Sequence, residues 1–275
     1  IRFGDEIVSC EFVDGRWQLE TDSGHRDVVN VVIAATGVLH HPSYPEIEGL
    51  ESFAGHAFHS ARWDHDIPLA GARVGVIGTG STAVQITAAI VDEVEHLSLF
   101  QRTAQWVMPQ ENPPYTDEMK TVFRDDPALL ERIHGELSQM FADGFANAVV
   151  DADSPQMKMI EDVCRDNLEQ NVIDPELRER LRPDYRAACK RLVVSGDFYQ
   201  AIQQPNAELV TAGIECIEPG GIRTRDGVLH ELDVLVLATG FHVDSFMRPM
   251  AVVGRDATQL ADVWAYVKTL PESPP

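Results

Sequence analysis

Between Val74 and Val91 the chain reads VGVIGTGSTAVQITAAIV, and this stretch restricts the fold more than any other. The apolar run Val74 to Ile77 meets a GxGxxA turn made of Gly78, Thr79, Gly80, Ser81, Thr82 and Ala83, after which Val84 to Val91 has the composition of a helix. The first glycine serves the tight bend from strand to helix. The second lets backbone N–H groups approach a pyrophosphate, and the small residue at Ala83 lets helix pack on strand. Gly78, Thr79, Gly80, Ser81 and Ala83 are therefore candidate cofactor contacts, and the expected fold is α/β with a doubly wound, Rossmann-like sheet. The stretch approaches membrane-spanning length, but its Gly, Ser and Thr block favours strand, turn and helix, so no transmembrane segment is expected.

In an NAD site a carboxylate at the end of the second strand, about twenty residues past the turn, holds the ribose 2′-hydroxyl. Here the expected second strand, His96 to Phe100, ends in Gln101-Arg102-Thr103, and Glu93 and Glu95 fall before it. An arginine in that place pairs with a 2′-phosphate that a carboxylate would repel. NADP is thus the expected cofactor, with Arg102 and Thr103 among its contacts; the alternative is a surface arginine whose stem packs along the sheet.

A bound phosphate needs only local cations and helix N–H groups. Globally the chain carries 22 basic against 44 acidic residues, a formal charge of −22, which repels a phosphate backbone and excludes nucleic acid as the expected partner. Cys10, Cys164, Cys189 and Cys216 are widely spaced, with no metal spacing. That fits free thiols in a reducing compartment and a cytoplasmic location.

Two segments repeat. VVNVVIAATGV at Val28 to Val38 and ELDVLVLATGF at Glu231 to Phe241 both end an apolar run in Ala-Thr-Gly, and both follow a hairpin-like stretch with a turn pair, Asp14-Gly15 and Asp226-Gly227. Thr36, Gly37, Thr239 and Gly240 are the matching candidate cofactor contacts. The second copy has its opening glycine turn at Gly78 to Ala83, whereas none precedes the first. The expectation is that an N-terminal segment with the first turn is absent, consistent with a chain that opens on Ile1.

Between the copies, Thr116 to Arg182 is mostly helical in pattern. Asp125-Asp126 before Pro127 reads as a capped helix start, and Pro155 and Pro175 sit at starts of further helices. The expected organisation is residues 1–45 as part of a first dinucleotide domain, 46–70 as a linker, 71–240 as the NADP domain with a helical insertion over about 112–187, and 241–275 as a return segment.

The linker holds a rarer pattern. Phe53, Gly55, His59, Trp63 and Asp64 fit FxGxxxHxxxW[P/D], just ahead of the glycine turn. In this the chain resembles the Baeyer–Villiger monooxygenases, FAD- and NADPH-dependent relatives of the flavin-containing monooxygenases, over nearly its whole length. The resemblance implies two dinucleotide domains, here with the FAD domain incomplete, and oxidation of a small-molecule ketone by O2 to an ester or lactone. It also implies catalytic roles for His59, Trp63 and Asp64 in a segment that moves between steps. Ala188-Cys189-Lys190-Arg191-Leu192 is similar to the family's CKR segment, so Arg191 is implied to face the flavin and Lys190 to help hold the 2′-phosphate. From the residues alone, two adjacent cations at a helix end or a hydrogen-bonded linker histidine remain open.

An amine- or sulfide-oxidising monooxygenase is the enzymatic alternative, against which Trp63 and Arg191 stand. A non-catalytic NADP-binding fragment is the other, supported by the missing first turn. By itself the chain is expected to hold no flavin.

Overall fold

The computed structural model describes residues 1–110 and 113–268, so the start of the helical insertion at residue 112 and the Pro-rich end at 271–275 lie outside the described residues. The chain forms two units, Ile1–Ser43 with Phe241–Pro275, and Tyr44–Gly240.

The first unit opens with β1 (Ile7–Val13), β2 (Arg16–Thr21) and β3 (Arg26–Val29), an antiparallel meander. Asp14 and Gly15 join β1 to β2 with φ of 49° and 80°. Positive φ at both positions gives the turn twist that suits two adjoining strands. The apolar run that leads to Thr36 and Gly37 does not form a strand beyond Val29. β3 stops at Val29 and residues 31–37 join no ladder, leaving Val31 and Ile33 72% and 87% exposed. An apolar run of this kind suits a parallel strand buried between neighbours, and no described residue pairs with it.

The second unit is built on a five-stranded parallel sheet. It contains β4 (His56–His59), β5 (Arg73–Ile77), α1 (Ser81–Ile90) and β6 (His96–Phe100), followed by the short β7 (Val107–Met108). Then come α2 (Asp117–Asp125), α3 (Pro127–Met140), a π-helical stretch at Phe141–Ala146, α4 (Asn147–Val150), α5 (Pro155–Asn171) and α6 (Pro175–Arg180). The side chains of Asp126, Ser154 and Asp174 cap α3, α5 and α6 ahead of a proline, so each helix begins where the sequence places it. After β8 (Val193–Val194) and α7 (Phe198–Ala201) the chain adds β9 (Ala207–Val210), the antiparallel β10 (Ile214–Glu218), β11 (Gly221–Thr224) and β12 (Leu229–Glu231), and finally β13 (Val234–Leu237).

The sheet order is β4-β13-β5-β6-β9, every pair parallel. Val74, Val76, Leu97, Leu99, Leu235 and Leu237 are buried. Unbroken apolar runs are what a parallel sheet covered on both faces requires, and each such side chain contributes about 1.5 to 3 kcal/mol. The start of the central β13–β5 pair is pinned by Arg73, whose Nε and Nη2 donate to the two oxygens of Asp233 at 3.0 and 2.7 Å. These bonds hold the Asp233 carboxyl at about 2.

The 46–70 segment is not only a linker. Its residues His56 to His59 are β4, the edge strand beside β13, because Ala57 and Phe58 continue an extended run that the unpaired edge of β13 accepts. Back in the first unit, β14 (Ala251–Val253) pairs parallel with β1, and α8 (Leu260–Lys268) follows. Among the described residues no helix is long and apolar enough to cross a membrane.

Candidate functional site

Gly78 leaves β5 with φ of +122°, and a Cβ built there would lie 2.4 Å from the Ala238 carbonyl oxygen. The bend can close against the end of β13 only with glycine. Gly80 is different: a Cβ there meets nothing within 4 Å, so the backbone faces open space. Gly80 is also the N-cap of α1 and no side chain caps it. The first-turn N–H groups are therefore available to an anion, at the positive end of the helix dipole. Ala83, fully buried, is the close contact between helix and sheet, and Ser81 sits half-buried in the first turn.

Thr79, between the two glycines, donates through Oγ1 to the Thr103 carbonyl at 2.8 Å. That bond ties the glycine turn to the end of β6. Next to it is a cleft of about 330 Å³ lined by residues 101–104 with Arg180, Arg182, Asp184 and Thr211. Arg102 is exposed and, among the described residues, has no hydrogen bond or ion pair. Arg180 and Arg182 carry no motif in the sequence. Both are anchored: Arg180 donates to the Leu209 carbonyl at 2.8 Å, and Arg182 pairs with Glu169 and with Glu179, the latter at 2.9 Å. Their spacing of two at the end of α6 was the only available sign.

Lys190 and Arg191 follow a loop, not a helix, since α6 ends at Arg180 and residues 182–192 hold no regular element. A helix-end dipole pair is thus not their setting. The loop is fastened at several points. Trp106 Nε1 donates to the Tyr185 carbonyl at 2.7 Å, and Arg186 donates to Glu161 at 2.8 Å and to the Ala152 carbonyl. Lys190 Nζ stands 4.5 Å from the centre of the Tyr185 ring, whereas Arg191 is exposed.

Ala188 in this loop has φ of +63°, a left-handed conformation that costs a residue with a Cβ about 1 kcal/mol. Ala188→Gly is expected to raise stability by about 0.5 kcal/mol, the relief being partly offset by the greater freedom of glycine in the unfolded chain. Urea unfolding at equilibrium checks the sign, and a destabilised variant would count against the left-handed geometry.

The fingerprint residues fall elsewhere, with structural tasks of their own. His59 is fully buried; Nε2 donates to the Gly240 carbonyl at 2.9 Å and Nδ1 accepts from the Ala61 N–H at 3.1 Å. These partners fix a neutral ring. Burial pushes its pKa below the ordinary range, the Gly240 bond opposes that, and Arg62 adds to the lowering. Gly55 lets the backbone pass Asp233, whose carbonyl oxygen would be 2.3 Å from a Cβ there. Phe53 packs on the core, and Trp63 meets Phe58 edge-on with ring centres 5.0 Å apart. Asp64 is exposed and accepts the Asp66 N–H at 3.0 Å in a local turn.

The structure therefore brings together Gly78, Thr79, Gly80, Ser81, Ala83, Arg102 and Thr103, and ties His59 to Gly240. Thr239 and Gly240 follow β13, and Gly240 has φ of 84°. Thr36 and Gly37 are exposed in the unpaired segment of the first unit.

A Baeyer-Villiger monooxygenase of Streptomyces coelicolor is 37% identical over 269 residues, covering 96% of this chain and 51% of that protein. An uncharacterized monooxygenase of Mycobacterium tuberculosis (strain H37Rv) is 50% identical over 267 residues, covering 96% of this chain and 53% of that protein. A crystal structure of cyclohexanone monooxygenase from Rhodococcus sp. Phi1 bound to NADP+ superposes with a TM-score of 0.82 at 31% identity, covering 96% of this chain and 57% of that one. The chain thus spans about half the length of the curated relatives it matches. Flavin-binding monooxygenase-like proteins match residues 9–258, nearly all of the sequence, and the chain belongs to that family.

Proposed function

We propose that this chain is the NADP-binding part of a flavoprotein monooxygenase that uses NADPH and O2 to convert a ketone into an ester or lactone. The observation that carries the reading is the uncapped glycine turn tied through Thr79 and Thr103 to a cleft bearing Arg102, which is unpaired among the described residues. Gly80, Ser81 and the first turn of α1 would receive the pyrophosphate. Arg102, helped by Lys190 and with Thr103 alongside, would hold the 2′-phosphate.

NADPH supplies reducing equivalents when bound, and FAD supplies the oxygen-activating chemistry. Arg191, a permanent cation with a planar set of donors, would polarise the substrate carbonyl and stabilise developing negative charge. His59 and Trp63 would set the path of the fingerprint segment, with Asp64 shaping its turn, while Thr36, Gly37, Thr239 and Gly240 would line the cofactor edges. The relatives' names, the NADP+-bound structure and the CKR match support this reading. Unpaired cysteines at all four positions fit a cytoplasmic protein.

The fit to FAD is different. Among the described residues no second glycine turn joins a strand to a helix, so the residues at hand do not form a site for its ADP half. This favours, as a second reading, a chain that binds NADP without oxygenating anything on its own.

NADP+ and NAD+ titrated into the purified chain test the proposal. Arg102→Ala is expected to weaken NADP+ by about ten- to a hundredfold, the loss of a charge-assisted contact, with NAD+ unchanged. Equal affinities for the two nucleotides in the unsubstituted chain would refute the assignment.

A further inference from the structure

We propose that Tyr185 and Gln105 are positioning residues that aim Lys190 at the 2′-phosphate of NADP, and so take part in choosing NADP over NAD. The proposal rests on the NADP reading above and extends it to two uncharged side chains.

The contacts form one continuous path. Gln105 Nε2 donates to the Thr103 carbonyl at 3.2 Å and to Thr79 Oγ1 at 3.4 Å, which fixes the amide against the glycine turn. With its nitrogen so oriented, its Oε1 accepts the Tyr185 hydroxyl at 3.1 Å. The face of that ring carries the Lys190 ammonium at 4.5 Å. Trp106 Nε1 donates to the Tyr185 carbonyl at 2.7 Å and holds its backbone. The Tyr185 side chain is half-buried, and burial raises its pKa above the ordinary phenol range.

Lys190 is exposed and has no ion pair among the described residues, and the Tyr185 ring lies against its ammonium. A lysine stem free in water samples many rotamers and must give up that freedom to hold a phosphate. An aromatic face under the ammonium narrows the search without neutralising the charge, leaving the outward N–H donors for an anion. Thr79 and Thr103 lie at the turn and the cleft, and the Gln105–Tyr185 bridge carries their position across about eighty residues of sequence to Lys190.

A double-substitution cycle on the 275-residue chain, read by calorimetric titration with NADP+ and NAD+, tests this. Tyr185→Leu is expected to weaken NADP+ by about two- to fivefold and to leave NAD+ unchanged. Tyr185→Phe, which keeps the ring but loses the tether, should fall between it and the unsubstituted chain, as should Gln105→Leu. In a Lys190→Ala background Tyr185→Leu should have no further effect, since its only route to the phosphate is then gone.

The same loss in that background, or an equal loss of NADP+ and NAD+, would mean that the ring serves folding alone, and the proposal fails. Should Tyr185→Leu not fold, Tyr185→Phe and Gln105→Leu decide in the same two backgrounds. If Lys190→Ala leaves NADP+ affinity untouched, the positioning role fails with it. Arg102→Ala still judges the parent reading separately.

Discussion

A Gly78→Ala chain will unfold about 3 kcal/mol or more below the unsubstituted one and will bind no NADP+. Two effects add at this residue. The φ of +122° is a conformation that side-chain-bearing residues rarely adopt, and the new methyl would lie 2.4 Å from the Ala238 carbonyl oxygen. Backbone lies on both sides of the contact, so neither partner can swing away, and the end of β13 must separate from the turn. Gly80→Ala is the matched control. It has ordinary φ of −72° and open space around the added carbon, so its stability should change by less than about 1 kcal/mol. Its NADP+ affinity should nonetheless fall, because the methyl occupies the approach to the α1 N–H groups. Urea unfolding and nucleotide titration on the two variants separate these outcomes; a Gly78→Ala chain of normal stability would overturn the geometry of the turn.

Arg191→Ala, in a longer protein that carries this chain and holds FAD, will slow ester formation by about a hundred- to a thousandfold, the usual loss of one fixed group that stabilises developing charge. NADP+ affinity should stay within about twofold, because Arg102 and Lys190 are the residues assigned to the phosphate. Arg191→Lys should recover only part of the rate: it restores the charge but not the planar pair of donors. Product formation and a parallel NADP+ titration give both readouts. Normal ester formation by the alanine variant would take Arg191 out of the mechanism.

The parts of this protein governed by neighbours in sequence are legible in the sequence itself. The bend at Gly78, the strand His96 to Phe100, the turn at Asp14-Gly15 and the proline-led helices at Pro127, Pro155 and Pro175 all lie where local chemistry puts them. What escaped depends on distant partners. VVIAA looks like a buried strand, yet no described residue pairs with it and Ile33 is exposed. HAFH is too short to show periodicity, so β4 was hidden inside a motif. The candidate site was half legible. The glycine turn and Arg102 announce themselves by spacing, whereas Arg180, Arg182 and the Gln105–Tyr185 contact become neighbours of β6 only after the helical insertion has folded back.

Synthesis order follows from the division of the chain. Residues 44–240 are continuous, so that unit can fold once it has been made. The first unit is interrupted: β1 pairs with β14 through Ser9 and Ala251, and Pro42 bridges Phe241. As an open coil, the chain between those partners would impose a long loop closure on every attempt at pairing, with an entropy that rises with loop length. A folded 44–240 replaces that coil by a rigid body. The meander of β1, β2 and β3 must therefore wait on the ribosome with an unfilled edge at β1 until β14 has emerged, and chaperone capture or mispairing has its widest opportunity in that interval.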